Sequence, residues 1–186
     1  ILSVLNLLTV PGELINIAMN PNLRKNHALE HATINVIEER YGPQRLSGQA
    51  TEGGFYIYGA VDPTILEAAA RIGHGRLLAG EKNLVVHRRC GTTIAAANFV
   101  SSAAFLALLL ATRHFTFFNV VIALFLANLI GPLLGTVLQK YVTTCWDVRD
   151  REIVGIEQSW EQPAPLLLLN WVAVPQKFFV RTRRIY

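Results

Sequence analysis

GTTIAAANFVSSAAFLALLLATRHFTFFNVVIALFLANLIGPLLGTVLQ, residues 91–139, holds two runs without a charged side chain, Gly91–Thr112 and Phe115–Gln139, parted only by Arg113 and His114. Each run exceeds the roughly 20 apolar residues that cross a hydrocarbon core of about 30 Å as a helix. A spanning segment must satisfy its backbone internally, so the pair reads as an antiparallel transmembrane hairpin. Its helices are expected from about Thr93 to Thr112 and from about Phe117 to Gln139. Small residues at Ala95–Ala97, Ser101–Ala104, Gly131 and Gly135 permit close packing, and Asn98, Asn119 and Asn128 are expected to find partners inside the hairpin. Gly131-Pro132 should shape a kink and not a transport path, because two spans cannot enclose a pore alone.

The whole composition agrees with an integral membrane protein. Of 186 residues, 52% are hydrophobic and only 16% charged, low for a soluble domain. Arg88, Arg89, Lys140, Arg149 and Arg151 flank the hairpin on one side, against Arg113 on the other. The positive-inside rule then places both termini and the polar domain on the cytoplasmic face, or the equivalent face of an internal membrane. The net charge of +4 is modest and gathers in KFFVRTRRIY (177–186), which suits an anionic lipid surface. No basic helix or stacking platform accompanies it, so nucleic acid is not an expected partner. Cys90 and Cys145 are too few for a disulfide scaffold.

Outward from the hairpin the chain divides into further parts. Residues 1–19 form an apolar segment expected in the interface, with ILSVLNLLTV ended by Pro11-Gly12. Residues 20–90 form a small α+β domain. Asn20-Pro21 reads as N-cap and first helical position, and Gly42 as the stop, giving a helix near 21–41. GGFYIYGAV (53–61) signals a strand. Asp62-Pro63 opens a helix to Gly80, weakened at Gly73-His74-Gly75, and NLVVH (83–87) reads as a second strand. Residues 140–186 complete the chain with membrane-proximal strands at YVTTCW and REIVGIEQ. An interfacial tail, PAPLLLLNWVAVPQKFF, follows, with Trp160 and Trp171 as anchors. The fold class is therefore α+β, a small α/β unit planted on a two-helix hairpin.

The helix 21–41 has an unusual seam. At 100° per residue, Leu23, His27, Glu30, Ile34, Ile37 and Tyr41 share one stripe, with His31 and Glu38 on its edge. Histidines at i and i+4 project both imidazoles from one face, a spacing that can clasp one metal ion. A glutamate on an apolar seam must be paired, protonated or near a cation, and a divalent metal would meet that need at Glu30. The pattern is H-x-x-E-H, the inverted order of the zinc-protease helix, in which both histidines bind zinc and the glutamate activates water. A second cluster, VVHRRCGTT (85–93), sets His87 and Cys90 at H-x-x-C spacing on a turn freed by Gly91. Four ligands, His27, His31, His87 and Cys90, would make a closed structural site, whereas three would leave a water position open for chemistry. The bland alternative is a hydrogen-bonded polar cluster that fixes helix register.

With both motifs in hand, His27–Ile34 (HALEHATI) and His87–Thr92 (HRRCGT), the chain resembles a family of uncharacterised membrane proteins of cyanobacteria and other bacteria. That family carries HALEHATI and a later H-x-R-C-G-T before a transmembrane hairpin. It is also distantly similar to a larger group with H-G-A-E-H and H-P-R-C-G-T, labelled metal-dependent enzymes; Arg88 stands where that group has proline. The resemblance spans roughly residues 20–155 and implies a shared site rather than a reaction.

Two functions follow as expectations. One is a membrane-anchored metal-dependent hydrolase, a peptidase in its sharpest form, with His27, His31 and His87 as ligands, Cys90 as a fourth ligand or a neighbour, Glu30 as general base and zinc as the expected ion. The other is a non-catalytic accessory or assembly subunit docked against other membrane proteins, its metal structural. The cyanobacterial resemblance makes a photosynthetic-membrane complex one conceivable host.

Overall fold

The computed structural model describes residues 2–159 and 177–185. Its elements run α1 (Leu2–Met19), α2 (Pro21–Tyr41), β1 (Ser47–Thr51), β2 (Gly54–Tyr58), α3 (Pro63–Leu78), α4 (Gly91–Thr112), α5 (Phe117–Leu138), β3 (Arg151–Ser159) and β4 (Lys177–Arg184). The strands make one antiparallel sheet in the order β1-β2-β4-β3. The chain is thus a mixed helix-and-strand protein with two helices, α4 and α5, long and apolar enough to cross a membrane.

Helix α2 starts where its capping chemistry dictates. Asn20 is extended and its side-chain oxygen accepts from the Leu23 N–H at 3.1 Å, with Pro21 at the first helical position. Asp62 does the same for α3, accepting from the N–H groups of Thr64 and Ile65. The two helices cover one face of the sheet. Phe55 and Ile57 of β2 and Phe178 and Val180 of β4 point inward, fully buried, onto Leu29 and Ile37 of α2 and Leu66 and Leu77 of α3. The intervening Tyr56 and Phe179 stack at 4.7 Å on the opposite face, as a period of two requires. Gly73 does not break α3: a Cβ there would stand 3.0 Å from the Ala32 backbone, so the glycine lets α2 and α3 cross closely. His74 is half buried beside it, with its Nε2 3.4 Å from the Val148 carbonyl.

In the hairpin, a Cβ on Gly131 would lie 2.6 Å from the Ala97 Cβ, and one on Gly135 would lie 2.7 Å from the Thr93 Oγ1. Ala96, Ala123 and Ala127 complete the small-residue seam, while Phe117, Phe125, Leu129 and Leu133 face outward. The asparagines do not bond to one another. Asn119 donates to the Thr112 hydroxyl and the His114 carbonyl across the turn, and Asn128 donates to Leu124 of its own helix.

Four sequence expectations need correction. The apolar N-terminal segment does not stop at Pro11-Gly12: α1 continues to Met19 with Pro11 inside, packed along α4. NLVVH is not a strand but a 3₁₀ turn, Lys82–Val85, followed by extended chain. Its backbone is satisfied by α2 instead of a sheet, because the Asn35 amide donates to both the Leu84 and Val86 carbonyls, at 2.9 and 3.0 Å. YVTTCW is not a strand either. Its start is a widened helical turn, Gln139–Thr143, and Arg24 clamps the chain by donating to the Tyr141 and Thr144 carbonyls. Finally, KFFVRTRRIY is no free basic tail: residues 177–184 are β4, a central strand whose Phe178 and Val180 are core. Its arginines pair with carboxylates of β3, Arg181 with Glu157 and Arg183 with Glu152. REIVGIEQ does form β3, whereas most of the interfacial tail, with Trp160 and Trp171, lies outside the described residues.

The glycine seam makes a direct prediction. Gly131→Leu forces α4 and α5 apart and should destabilise the hairpin by about 1–3 kcal/mol. Thermal unfolding in detergent should show a lower midpoint than for Leu129→Ala on the outward face; equal midpoints would contradict the packing.

Candidate metal centre

Helix α2 buries its polar seam. His27, Glu30 and His31 are 9%, 5% and 0% exposed. The His27 Nδ1 lies 2.9 Å from the Thr143 carbonyl and the His31 Nδ1 lies 2.5 Å from the Val85 carbonyl. A carbonyl only accepts, so each ring donates its Nδ1–H and each Nε2 keeps a bare lone pair. The His27 Nε2 faces the Cys90 Sγ at 3.3 Å, and the His31 Nε2 is buried with no partner. An unsatisfied buried nitrogen costs about 1–3 kcal/mol, so its retention calls for an explanation. Metal-binding histidines show this same outer-shell bond, which fixes the tautomer and aims the free nitrogen.

Cys90 arrives from the other side. It is the N-cap of α4, with its Sγ accepting from the Thr92 N–H at 3.4 Å. The two imidazole nitrogens and this sulfur all lie within 4.8 Å of one another, and one metal ion could be held among them. Two imidazoles and a thiolate form an N/S donor set of the kind that tetrahedral zinc prefers, with one position left over.

His87 is not part of this trio. Its ring centroid is 5.9 Å from that of His31, and its Nε2 faces Glu38 at 3.5 Å. Glu38 also pairs with Arg89, and the His87 N–H donates to the Gln139 side chain at 2.8 Å. Gln139 donates in turn to the Thr93 hydroxyl at 2.6 Å, which ties the H-x-x-C turn to both α4 and α5.

Glu30 lies beside the trio but against the sheet. Its carboxylate accepts from the Ala50 N–H of β1, and a Cβ on Gly48 would overlap it. Burial pushes its pKa up to about 8, with the Ala50 bond opposing. Burial likewise lowers the pKa of His27 and, far more, of His31, and raises that of the Cys90 thiol. Without a cation, therefore, the cluster favours neutral forms throughout. A cavity of about 600 Å³ opens onto it, lined by His27, Glu30 and Cys90, by Ser47–Ala50 of β1, and by apolar residues of α1 and α4.

Sequence reading singled out the side chains but missed their supports. Val85 and Thr143 act through main-chain carbonyls, and no side-chain pattern marks a carbonyl. Gln139 was visible only as the end of a span, although a glutamine at that boundary carries both a donor and an acceptor.

A helical hairpin carrying a sheet-and-helix unit, with two histidines and a cysteine gathered at the junction, defines the class of this protein. Residues 22–156 match the family model described as a domain of unknown function, DUF6391, and the chain belongs to that family. It is 37% identical over 164 residues to an uncharacterized protein of the cyanobacterium Picosynechococcus sp., a match covering 80% of each chain. No solved structure matches it.

The clamp on the Val85–Cys90 segment is testable. Asn35→Leu leaves the Leu84 and Val86 carbonyls without their donor and should cost about 1–3 kcal/mol. Amide exchange across residues 82–90 should quicken more than across β2, and unchanged exchange there would remove Asn35 as the clamp.

Proposed function

We propose that this protein is a membrane-anchored, metal-dependent hydrolase acting on peptide bonds, with His27, His31 and Cys90 holding the ion and Glu30 as general base. One observation carries the reading. Three ligand atoms cluster within 4.8 Å, and the carboxylate of the same H-x-x-E-H helix lines the cavity that opens onto them. Three ligands leave a coordination position for water or substrate, which distinguishes catalytic zinc from closed structural zinc. The ion would supply Lewis acidity toward the substrate carbonyl and make its bound water acidic. Glu30 would serve as the proton carrier, taking a proton from the attacking water and giving it to the amine nitrogen as the C–N bond breaks. His87 serves as a neighbour in this scheme, holding Glu38 and Arg89 beside the entrance.

The polar unit faces the cytoplasm on this reading, because Arg88, Arg89 and Lys140 flank the near ends of the hairpin and Arg113 its far turn. Single cysteines placed at 113 and 140 should label from opposite sides of sealed vesicles. Labelling of both from one side would end the spanning hairpin.

The depth of the cluster favours one other reading. All three donors are less than 10% exposed, as in sites where metal energy is folding energy. A non-catalytic accessory or assembly subunit of a larger membrane complex, with structural zinc, would have that character. Glu30→Gln separates the two. The hydrolase predicts a folded variant that keeps about one equivalent of zinc and loses activity by at least a hundredfold, while His31→Ala and Cys90→Ala lose the zinc. A Glu30→Gln protein that is folded, zinc-loaded and fully active in cells would leave the subunit reading in its place. Metal should be assayed on protein purified without a histidine tag.

A further inference from the structure

Strand β1 is the edge of the sheet, and its open side forms a wall of the cavity at the cluster. An antiparallel strand alternates residues that bond to their neighbour with residues that turn their N–H and C=O outward. The phase here is fixed by the turn. Only Glu52 and Gly53 separate Thr51 from Gly54, so those two form a bonded pair and Ala50, next in line opposite Phe55, turns its N–H and C=O outward. Two residues along, Gly48 must also turn its N–H and C=O away from β2, toward the cavity. Ser47, Gly48 and Gln49 are exposed, so among the described residues none covers this edge.

Natural sheets protect an uncovered edge with proline, a charge or a bulge. Residues 47–51, SGQAT, have none of these, and the β1–β2 register runs unbroken. Position 48 is also narrow for a reason. Gly48 sits over Glu30 with no room for a Cβ, which brings the edge backbone directly onto the general base. The wall facing β1 is apolar, with Val10, Leu14 and Ile17 of α1 and Ile94 and Ala95 of α4.

We propose that the cavity takes an extended polypeptide segment that adds as a fifth strand along β1, with apolar side chains against α1 and α4. This deepens the hydrolase reading and rests on it for the chemistry, though not for the binding. A strand pairs at about 4.8 Å from its neighbour, so a segment on β1 runs beside Glu30, with one backbone carbonyl near the His27–Cys90 pair. Main-chain bonds along β1 give register without regard to sequence, and the apolar wall selects every second side chain. The edge of Ser47–Ala50 engages about four residues at 3.3 Å each. The wall belongs to elements at the membrane boundary, so the substrates this shape fits are apolar, unfolded stretches of membrane proteins close to the bilayer.

The test uses the full chain, zinc-loaded in detergent micelles, with β-casein as an unfolded polypeptide probe. Glu30→Gln should bind β-casein without cutting it, and amide exchange in residues 46–51 should slow at least fivefold. Glu30→Ala makes room at position 48. Adding Gly48→Pro to it removes one outward N–H and should weaken casein binding at least tenfold with zinc content unchanged. If that double variant fails to fold, the exchange measurement on Glu30→Gln decides alone. Absence of casein binding overturns the proposal, as does binding without protection of 46–51. So does a cavity filled instead by a fluorescent dodecanoyl probe that Leu14→Trp expels, which would mark an acyl-chain site. Protection of β1 with no cleavage by the wild-type protein removes the hydrolase reading alone. Cleavage with no protection of β1 removes the edge-strand proposal alone.

Discussion

Two imidazole N–H groups hold the protein together at its centre. By donating to the Val85 and Thr143 carbonyls, His31 and His27 fasten α2 to the segment before α4 and to the turn after α5. Those segments are far apart in sequence and carry no strand pairing of their own, so their buried carbonyls need donors from elsewhere. Asn35 and Arg24 extend the same arrangement, one on the Leu84–Val86 side and the other on the Tyr141–Thr144 side. One face of one helix thus sets the position of both ends of the hairpin. The free Nε2 atoms are a consequence, since a ring that gives its Nδ1–H to a carbonyl has only a lone pair left for the cavity.

Much of this was legible in the sequence, for reasons that also explain what was not. The hairpin and α2 announce themselves by length, charge and capping, which are local properties of contiguous residues; Asn20-Pro21 and Thr112-Arg113 fall at the observed helix ends. Two chelating spacings on one side of the membrane led to the expectation that His27, Glu30 and His31 meet both His87 and Cys90; His27, His31 and Cys90 do gather, while His87 turns to Glu38. The segments at 83–87 and 141–146 looked like strands because they are rich in valine and threonine. Propensity describes a half-buried pleated surface, however, and here Leu84, Val85, Thr143 and Thr144 are buried without any strand partner. Strand β4 was hidden for the opposite reason. Its arginines at 181, 183 and 184 made it look like a lipid-binding tail, yet alternation places Arg181 and Arg183 on the solvent face and Arg184 is exposed at the strand's end, while Phe178, Val180 and Thr182 point inward. Charge was the louder signal, and the period of two was the informative one.

Glycine has three separate duties here, and each is a matter of distance. Gly73 lets α2 and α3 cross at Ala32, Gly131 and Gly135 let the membrane helices meet, and Gly48 lets the sheet edge rest on Glu30. The first two are packing. The third is different, because a carboxylate held under a strand gains nothing in core density and is desolvated in the process. Its raised pKa records that cost, which burial imposes and the Ala50 N–H only partly offsets. Tyr56 and Phe179 show that the outer sheet face tolerates large polar or aromatic groups freely.

Cys90 joins α4 to the cluster on α2. The same sulfur caps α4 through the Thr92 N–H and faces the His27 nitrogen across the cluster. A helix N-terminus carries a partial positive charge that favours a thiolate, while burial alone favours the thiol. These opposed effects make its protonation sensitive to whatever occupies the space between the two histidines. A cation there would draw the sulfur into its negative form, strengthen the cap and stiffen the first turn of the membrane helix. Gln139, bonded at once to the His87 N–H and the Thr93 hydroxyl, would carry the same constraint to the end of α5. Occupancy of the cluster and the order of the junction among α2, α4 and α5 would then be one equilibrium, because each is built from the same few atoms.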